Sequence, residues 1–144
     1  MRLPWIISAL TLATDQVTKF VVAASCVPGQ RHPLFPPVLS LTYVQNTGAA
    51  FGMLKGLSAL LIVISLLVVG WLTWEVISKP ALPRLAQWGS GLIIGGAVGN
   101  LIDRLRFGYV IDFIDVRVWP VFNIGDSAIT IGVSLLIWYS LRRR

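Results

Sequence analysis

Four apolar stretches decide what this chain can fold into. Each is long enough to cross the hydrocarbon core of a bilayer, which takes about 20 predominantly apolar residues. They run roughly over residues 4–24, 57–78, 85–105 and 124–141. The chain is also 56% hydrophobic and only 12% charged, outside the usual range of soluble domains. We therefore expect an all-α membrane protein in which four transmembrane helices form one membrane-embedded domain, residues 1–144.

Basic and aromatic residues at the ends of these stretches set the expected orientation. The basic ones are Arg2, then Lys79 and Arg84 in the link "KPALPR", and Arg142, Arg143 and Arg144 after the fourth stretch. The tryptophans at the same ends are Trp5, Trp71, Trp74, Trp88 and Trp138. Lys and Arg favour cytoplasmic loops, and tryptophan favours the membrane interface, so both termini should be cytoplasmic. The basic residues that give the net charge of +6 lie mostly at the ends of the apolar stretches, where they orient the protein in a bilayer. The sequence contains no basic stripe with interleaved aromatics, the pattern that would indicate nucleic-acid binding.

Two segments should then lie on the extracytoplasmic side. Residues 27–55, between the first two stretches, are too rich in Pro and Gly to span a membrane, but "VLSLTYV" has the alternation of a short strand. This predicts a small extracytoplasmic β-element between helices 1 and 2. A short extracytoplasmic segment between helices 3 and 4, residues 107–122, contains "YVIDFIDVRV". That motif fits either a strand or a surface helix.

Polar residues inside the apolar stretches indicate where the helices meet. These residues are Asp15 and Lys19 in the first stretch, Asn100, Asp103 and Arg104 in the third, and Asp126 in the fourth. Ionisable groups are costly in lipid and should face the interior of the bundle. Counting about 1.5 Å per residue from the tryptophans places all of them at one level, in the outer half of the membrane. A structural ion pair and a functional one are both open interpretations of the Asp15 and Lys19 pair.

Small residues recur on the third stretch. Gly91, Gly95 and Gly99 stand at every fourth position, and Asp103 continues the same row. Such a ridge lets another helix approach closely. We interpret it as a packing surface and not as a ligand site.

Carboxylates gather in residues 103–127, which hold four of the six acidic side chains. Asp112 and Asp126 have no basic residue in helical register. Two adjacent carboxyl groups share a proton and can act together as general base and general acid on a water molecule. The chain has one histidine, His32, and one cysteine, Cys26, which leaves little basis for Ser/His or Cys/His chemistry. An aspartyl dyad is the best-supported hydrolytic chemistry; an ion path or a Mg²⁺ site is the alternative.

Five motifs in order carry a family resemblance. They are "TDQVTK", "NTGAAFG", "GGAVGNLIDR", "VIDF" and "FNIGDS", spread from Asp15 to Ser127. The set resembles that of signal peptidase II, the lipoprotein signal peptidase of bacteria. The resemblance implies an integral-membrane aspartyl peptidase without a metal or an organic cofactor.

The resemblance also implies which residues form the site. Asp112 in "VIDF" and Asp126 in "FNIGDS" match the catalytic aspartates of the family. The matching residues around them are Asp15, Lys19, Asn46, Gly48, Asn100, Asp103, Arg104 and Asn123. Gly125 stands where the family usually has alanine, and Asp115, three residues after Asp112, falls outside the motif. Asp115 is therefore expected at the solvated rim of the site.

A substrate and a location follow from the same resemblance. The substrate would be a prolipoprotein that already carries a diacylglyceryl group, cleaved just before the lipidated cysteine. The enzyme would be a multi-pass protein of the bacterial plasma (inner) membrane, surrounded by membrane lipids, with its active site toward the extracytoplasmic side. The "NTGAAFG" loop and the outer segment would close over the substrate as lids. Cyclic peptide antibiotics that inhibit the family are expected to bind there.

Overall fold

The computed structural model of the chain describes residues 2–48, 57–79 and 81–142. Its helices are α1 (Leu3–Ser25), α2 (Leu57–Ser78), α3 (Arg84–Phe107) and α4 (Ile124–Arg142). All four are long and apolar enough to cross a membrane. The predicted stretches therefore begin and end within about two residues of the helices. Part of the lid motif "NTGAAFG", residues 49–52, lies outside the described residues, as do Arg143 and Arg144.

The glycine ridge of α3 is a packing surface, as the sequence predicted, and the helix that packs against it is α1. A Cβ atom at Gly91 would lie 2.7 Å from the carbonyl oxygen of Pro4, and one at Gly95 would lie 2.6 Å from that of Ser8. Only glycine permits these backbone contacts, since real Cβ atoms do not approach so closely. The ridge makes α3 the central helix, and about two thirds of its apolar window is buried inside the protein.

A second glycine surface on α3 packs against α4. A Cβ atom at Gly96 would overlap the carbonyl oxygen of Gly125. Further along, a Cβ atom at Gly132 would lie 2.7 Å from the carbonyl oxygen of Gly89. The two helices therefore meet backbone to backbone, which fixes α4 against α3. This surface was not part of the sequence prediction.

The extramembrane segments form one antiparallel sheet in the order β1 (Arg31–Phe35), β2 (Leu39–Asn46) and β3 (Val110–Asp115). We expected the β-element to lie wholly between helices 1 and 2, but the segment between helices 3 and 4 contributes β3. Its β-branched and aromatic residues are buried on both faces, and in that setting a strand is favoured over a surface helix. The ambiguous motif "YVIDFIDVRV" is thus a strand over most of its length.

Pairing on both sides of β3 joins the sheet to the start of α4. On one side β2 places Val44 opposite Asp112. On the other side Phe122 pairs with Ile114, and its carbonyl oxygen accepts hydrogen bonds from the backbone N–H groups of Phe113 and Ile114. Helix α4 begins two residues later. The turn between β3 and α4 therefore returns along the strand and sets the first turn of α4 beside Asp112.

An apolar cluster fixes the sheet on top of the helices. Val22, near the end of α1, is buried with Tyr43 of β2 and with Ile111 and Phe113 of β3. Each buried aromatic or branched side chain contributes about 1.5–3 kcal/mol relative to exposure. This cluster holds β3 at the end of the bundle where the buried polar residues lie.

Candidate active site

Asp126 is held by the start of its own helix. Asn123 precedes α4 as its N-cap residue, and its Oδ1 accepts the backbone N–H of Asp126 (2.8 Å). In return, Oδ2 of Asp126 accepts the backbone N–H of Asn123 (3.3 Å). This reciprocal pair is a capping box, written in the sequence as Asn-x-x-Asp. The Asp126 carboxylate consequently has a fixed position at the end of the bundle.

Asp112 is buried on β3 and accepts hydrogen bonds from two asparagine amides. Nδ2 of Asn123 donates to Oδ1 of Asp112 (2.7 Å), and Nδ2 of Asn46 donates to its Oδ2 (2.8 Å). Asn46 is oriented in turn, because its Oδ1 accepts the backbone N–H of Gly48 (2.8 Å). Gly48 has a left-handed φ of 73°, which glycine adopts without strain. Asn123 therefore contacts Asp112 and Asp126 at once.

Burial raises the pKa of Asp112 to about 6 from its ordinary value of 3.8. The hydrogen bond from Asn46 opposes this shift, since it favours the ionised form, and the negative charge of Asp126 adds to it. The hydrogen bond from Asn123 and the charge of Lys19 also oppose it. Asp112 thus binds its proton more tightly than an ordinary aspartate, and Asp126 is close enough to contribute to that affinity.

A buried ion cluster lies beneath this pair. Nζ of Lys19 contacts Oδ2 of Asp15 at 2.8 Å and Oδ2 of Asp103 at 2.9 Å. Its third hydrogen bond goes to Oδ1 of Asn100 (2.8 Å). All three ammonium protons therefore have an acceptor, as the cost of burying a charge requires. The predicted pairing of Asp15 with Lys19 is confirmed.

Both acids of the cluster also bind backbone groups next to the candidate catalytic residues. Oδ1 of Asp15 accepts the backbone N–H of Gly125 (2.8 Å), in the first turn of α4. Oδ2 of Asp103 accepts the backbone N–H of Ile111 (3.2 Å), one residue before Asp112. The cluster ties α1 and α3 to α4 and to β3. Asp112 and Asp126 are thereby held from below as well as by their own elements.

Asn100 connects the ion cluster to the pair. Its Oδ1 accepts from Lys19 and from Nδ2 of Asn123 (3.1 Å), while its own Nδ2 donates to Oδ1 of Asp126 (2.8 Å). The Lys19 ammonium can only donate, so it fixes the amide oxygen of Asn100 toward itself and the amide nitrogen toward Asp126. These contacts confirm that the polar residues of α1, α3 and α4 share one level. Its place in the outer half of the membrane stays a prediction.

Arg104 lies beside the same group. One guanidinium nitrogen donates to the carbonyl oxygen of Asn100 at 3.4 Å, and the side chain interacts electrostatically with Asp126 and Asp112. The structure therefore brings together every residue that the resemblance assigned to the site. Whether Asp112 and Asp126 are the catalytic residues stays a prediction.

Asp115 lies apart from this group, but it is buried and not at a solvated rim. Its Oδ1 accepts the backbone N–H of Arg117 (2.9 Å), and its Oδ2 accepts the hydroxyl of Thr42 (2.8 Å). These hydrogen bonds lower the pKa of Asp115, and the one from the backbone N–H of Arg117 has the larger effect. The cross-strand neighbour Ser40 and these donors enclose a carboxylate whose burial no sequence motif indicated.

Two features of the site were missed by sequence reasoning. Nε2 of Gln16 donates to Oδ1 of Asp103 (3.1 Å) and to the carbonyl oxygen of Gly99 (3.2 Å), bridging α1 and α3. Gln16 follows Asp15 directly in the "TDQVTK" motif, so its place in the motif was the available signal. The capping box was also readable, because Asn123 and Asp126 have the required spacing just before an apolar run.

A cavity of about 400 Å³ opens beside Asp126. It is lined by Trp119, Phe122, Asp126, Ser127, Thr130 and Ile131. The hydroxyls of Ser127 and Thr130 donate to carbonyl oxygens of their own helix, at 3.0 and 2.9 Å. Their polar hydrogens are therefore satisfied, and Asp126 is the one residue with an acidic or basic side chain in the lining of this cavity.

The chain is similar in sequence to proteins of one known family. The family model described as signal peptidase (SPase) II matches residues 7–142. The lipoprotein signal peptidase of Halothermothrix orenii is 45% identical over 135 residues, which are 94% of this chain and 92% of that protein. The lipoprotein signal peptidase of Pelotomaculum thermopropionicum is 44% identical over 93% of this chain and 88% of its own length.

Solved structures agree with the sequence relatives. A bacterial membrane enzyme determined by the in meso method at 1.9 Å resolution superposes with a TM-score of 0.90 at 34% identity, covering 98% of this chain and 94% of that one. A second, at 2.3 Å resolution, gives a TM-score of 0.87 at 34% identity and covers 96% and 87% of the two chains. The resemblance carried by the five motifs is confirmed, and this chain belongs to the signal peptidase II family.

Proposed function

We propose that this protein is an aspartic endopeptidase that removes the signal peptide from diacylglyceryl-modified prolipoproteins, cutting just before the lipidated cysteine. Family membership supports a peptidase that processes lipoproteins. The observation that carries the aspartic mechanism is Asn123, which hydrogen-bonds the carboxylates of Asp112 and Asp126 at the same time. Two carboxylates bridged in this way form a pair that can share a proton.

In the proposed reaction, one aspartate activates water and the other protonates the substrate. Asp126 accepts a proton from a water molecule, whose oxygen attacks the scissile carbonyl carbon. Asp112, whose pKa is raised, donates its proton to the carbonyl oxygen, which gives a neutral tetrahedral intermediate. Collapse of the intermediate breaks the C–N bond as the amine takes the proton from Asp126 and the hydroxyl returns its proton to Asp112. The pair then has its starting protonation.

The surrounding groups have a positioning role in this proposal. Asn100, Asn46 and Asn123 each aim an NH₂ group at one of the two carboxylates. Charge-assisted hydrogen bonds of this kind hold a carboxylate in place and favour its ionised form. Arg104 adds a positive charge nearby. These contacts favour a fixed catalytic pair over the alternative of an ion path, in which the polar groups would have to exchange partners.

The cavities support an apolar substrate that arrives from the membrane. Besides the cavity beside Asp126, a groove of about 430 Å³ lies between α2, α3 and α4, and its lining includes Trp71, Ile93 and Val133. A signal peptide has an apolar region of about 7–15 residues. We propose that this region lies along the groove, that the scissile bond reaches Asp126, and that the cyclic peptide antibiotics that inhibit the family compete for the same place.

The proposed location is the bacterial plasma membrane, with both termini in the cytoplasm and the sheet outside. The support is the distribution of Lys, Arg and Trp at the helix ends. The diacylglyceryl group of the substrate would then remain in the outer leaflet while the bond next to it is cut.

The test is cleavage of a lipidated prolipoprotein by purified enzyme, followed as a mobility shift on a gel. Asp126→Asn should lose nearly all turnover, because an amide cannot accept the proton from water. Asp115→Asn is the matched control, since Asp115 is a buried aspartate on the same sheet that lies outside the pair, and it should keep most of the activity per folded enzyme. The rate should be unchanged in EDTA. An Asp126→Asn enzyme that cuts at the parental rate would refute the dyad, and ion flux into proteoliposomes without cleavage would support an ion path instead.

A further inference from the structure

Large apolar side chains are exposed at one end of the sheet, outside the four helices. They are Leu34, Phe35, Val38, Val118 and Trp119. Phe35 is 72% exposed, and Val118 is 91% exposed. Soluble surfaces rarely present so many large apolar residues together, and such a patch usually marks a contact with a membrane or another protein.

The strand register places these five residues at the same end. In the β1–β2 hairpin, Phe35 pairs with Leu39, so residues 34–38 surround the turn. In the β2–β3 pairing, Ser40 lies opposite Asp115, so the last residue of β3 is level with the first residues of β2. The chain then continues through Val118 and Trp119 beyond that end. We call this set, Leu34, Phe35, Val38, Val118 and Trp119, the apolar edge.

The apolar edge adjoins the first half of α4 through Trp119. Helix α4 has 19 residues and is therefore about 28 Å long, close to the ~30 Å thickness of a hydrocarbon core. Its first residue, Ile124, accordingly lies near one boundary of the core, and Phe122 pairs with β3 at the same level. Trp119 lines a cavity together with Ile131, which is about 10 Å further along α4. Trp119 thus connects the edge to the side of α4 that lies within about 10 Å of this boundary.

Two arginine side chains next to the apolar edge are suited to contact with lipid headgroups. Arg31 and Arg117 both approach Oδ2 of Asp115, with N···O distances of 4.0 and 3.8 Å. Their side chains are partly exposed, at 38% and 46%. Two guanidinium groups around one carboxylate leave one positive charge, and this charge suits the phosphates of lipid headgroups.

We infer that the apolar edge is a lipid-binding surface, inserted among the acyl chains of the leaflet on the sheet side of the membrane. The occupant is bulk phospholipid, with Trp119 at the interface and the two arginines at phosphate level. Trp119 lines the same cavity as Ile131, an exposed apolar residue of α4, so the edge adjoins a helix that is long and apolar enough to cross a membrane. This insertion would hold the sheet over the cavity beside Asp126. It does not rest on the proposed peptidase mechanism.

Site-directed fluorescence quenching tests the inference. In a Cys26→Ser background, single cysteines at Phe35→Cys and Val118→Cys are labelled with an environment-sensitive fluorophore, and the full chain is placed in nanodiscs at one copy per disc. Gln45→Cys is the matched control, because Gln45 is exposed on the same sheet at the opposite end. Phosphatidylcholine with a doxyl group high on the acyl chain reports lipid contact, and iodide reports water contact.

We expect the doxyl lipid to quench most of the fluorescence at both edge positions and iodide to quench little, with the reverse at Gln45. Iodide quenching at Phe35 and Val118 without doxyl quenching would overturn the inference. So would protection from both quenchers that appears only in discs with two copies, because the occupant would then be a second chain. The fluorescence readout does not require turnover. If the protein failed to cleave prolipoprotein while the doxyl lipid quenched the fluorophores at the apolar edge, the proposed function would be contradicted and this inference would be supported.

Discussion

Replacing Asp112 by asparagine separates the chemical role of this carboxylate from its effect on stability. The pKa of Asp112 is about 6 in the folded protein, against an ordinary value of 3.8. Between these values the folded state binds more protons than the unfolded chain, so the free energy of unfolding falls as the pH rises. The gap corresponds to about 3 kcal/mol, at about 1.4 kcal/mol for each tenfold change in proton affinity. About 1.4 kcal/mol of this loss falls between pH 5 and pH 8.

In Asp112→Asn the side chain cannot ionise, so the variant should lack this pH-dependent fall in the free energy of unfolding. Relative to the parent, the variant should therefore gain about 1.4 kcal/mol between pH 5 and pH 8. The new amide faces two NH₂ groups, from Asn46 and Asn123, and leaves one hydrogen bond unmade. That defect costs about 1–3 kcal/mol, but it is the same at both pH values and cancels from the comparison. Turnover should fall by at least about 10²-fold at both pH values, because the amide cannot donate and recover the proton.

The assay is equilibrium unfolding in mixed micelles of dodecyl maltoside and SDS, followed by tryptophan fluorescence at each pH. Asp115→Asn serves as the control, because the lowered pKa of Asp115 places its titration below this pH range. Its difference from the parent should be constant between pH 5 and pH 8. If the free energies of unfolding of Asp112→Asn and the parent change with pH in parallel, the pKa of Asp112 is not raised by its burial. The reasoning that makes Asp112 the proton donor then fails.

Two further predictions concern packing and orientation. Gly96→Ala should lower the free energy of unfolding by about 1–3 kcal/mol, because its Cβ would press on the backbone of Gly125. The control Gly70→Ala, with open space around it, should raise the free energy of unfolding by about 0.5–1 kcal/mol. Equal effects of the two substitutions in the micelle assay would contradict the backbone contact. In intact cells with a Cys26→Ser background, an impermeant thiol reagent should label Gln45→Cys and not Lys79→Cys, and the reverse pattern would overturn the proposed orientation.

The helices and their polar contacts were readable from the sequence because each follows from a local rule. An apolar run of membrane length predicts its own limits, and an i, i+4 spacing predicts the pairing of Asp15 with Lys19. The glycine ridge was readable for a similar reason, since residues four apart share one helix face. Local periodicity carried no information on which helix packs there.

The sheet was harder to predict because its pairing joins segments far apart in the chain. β2 and β3 are separated by two helices, so no local pattern indicated that Val44 lies opposite Asp112. The burial of Asp115 escaped prediction for the same reason, since its donor Thr42 comes from β2. The roles of Asp112 and Asp126 came from the family motifs, while their physical support, the Asn123 capping box, was present in the sequence and was overlooked.

The fixed direction of the asparagine amides has a consequence for the energetics of the cell. Asn100 turns its oxygen to the Lys19 ammonium, and Asn123 turns its oxygen to a backbone N–H, so neither amide can reverse while those donors are in place. A chain that conducts protons must reorient its hydrogen bonds after each transfer, and side-chain amides do not pass protons by ionising. The buried polar groups of α1, α3 and α4 therefore form an insulator. A bilayer that contains this protein should keep its proton-motive force even though the proposed proton-transferring pair lies at one end of its helices.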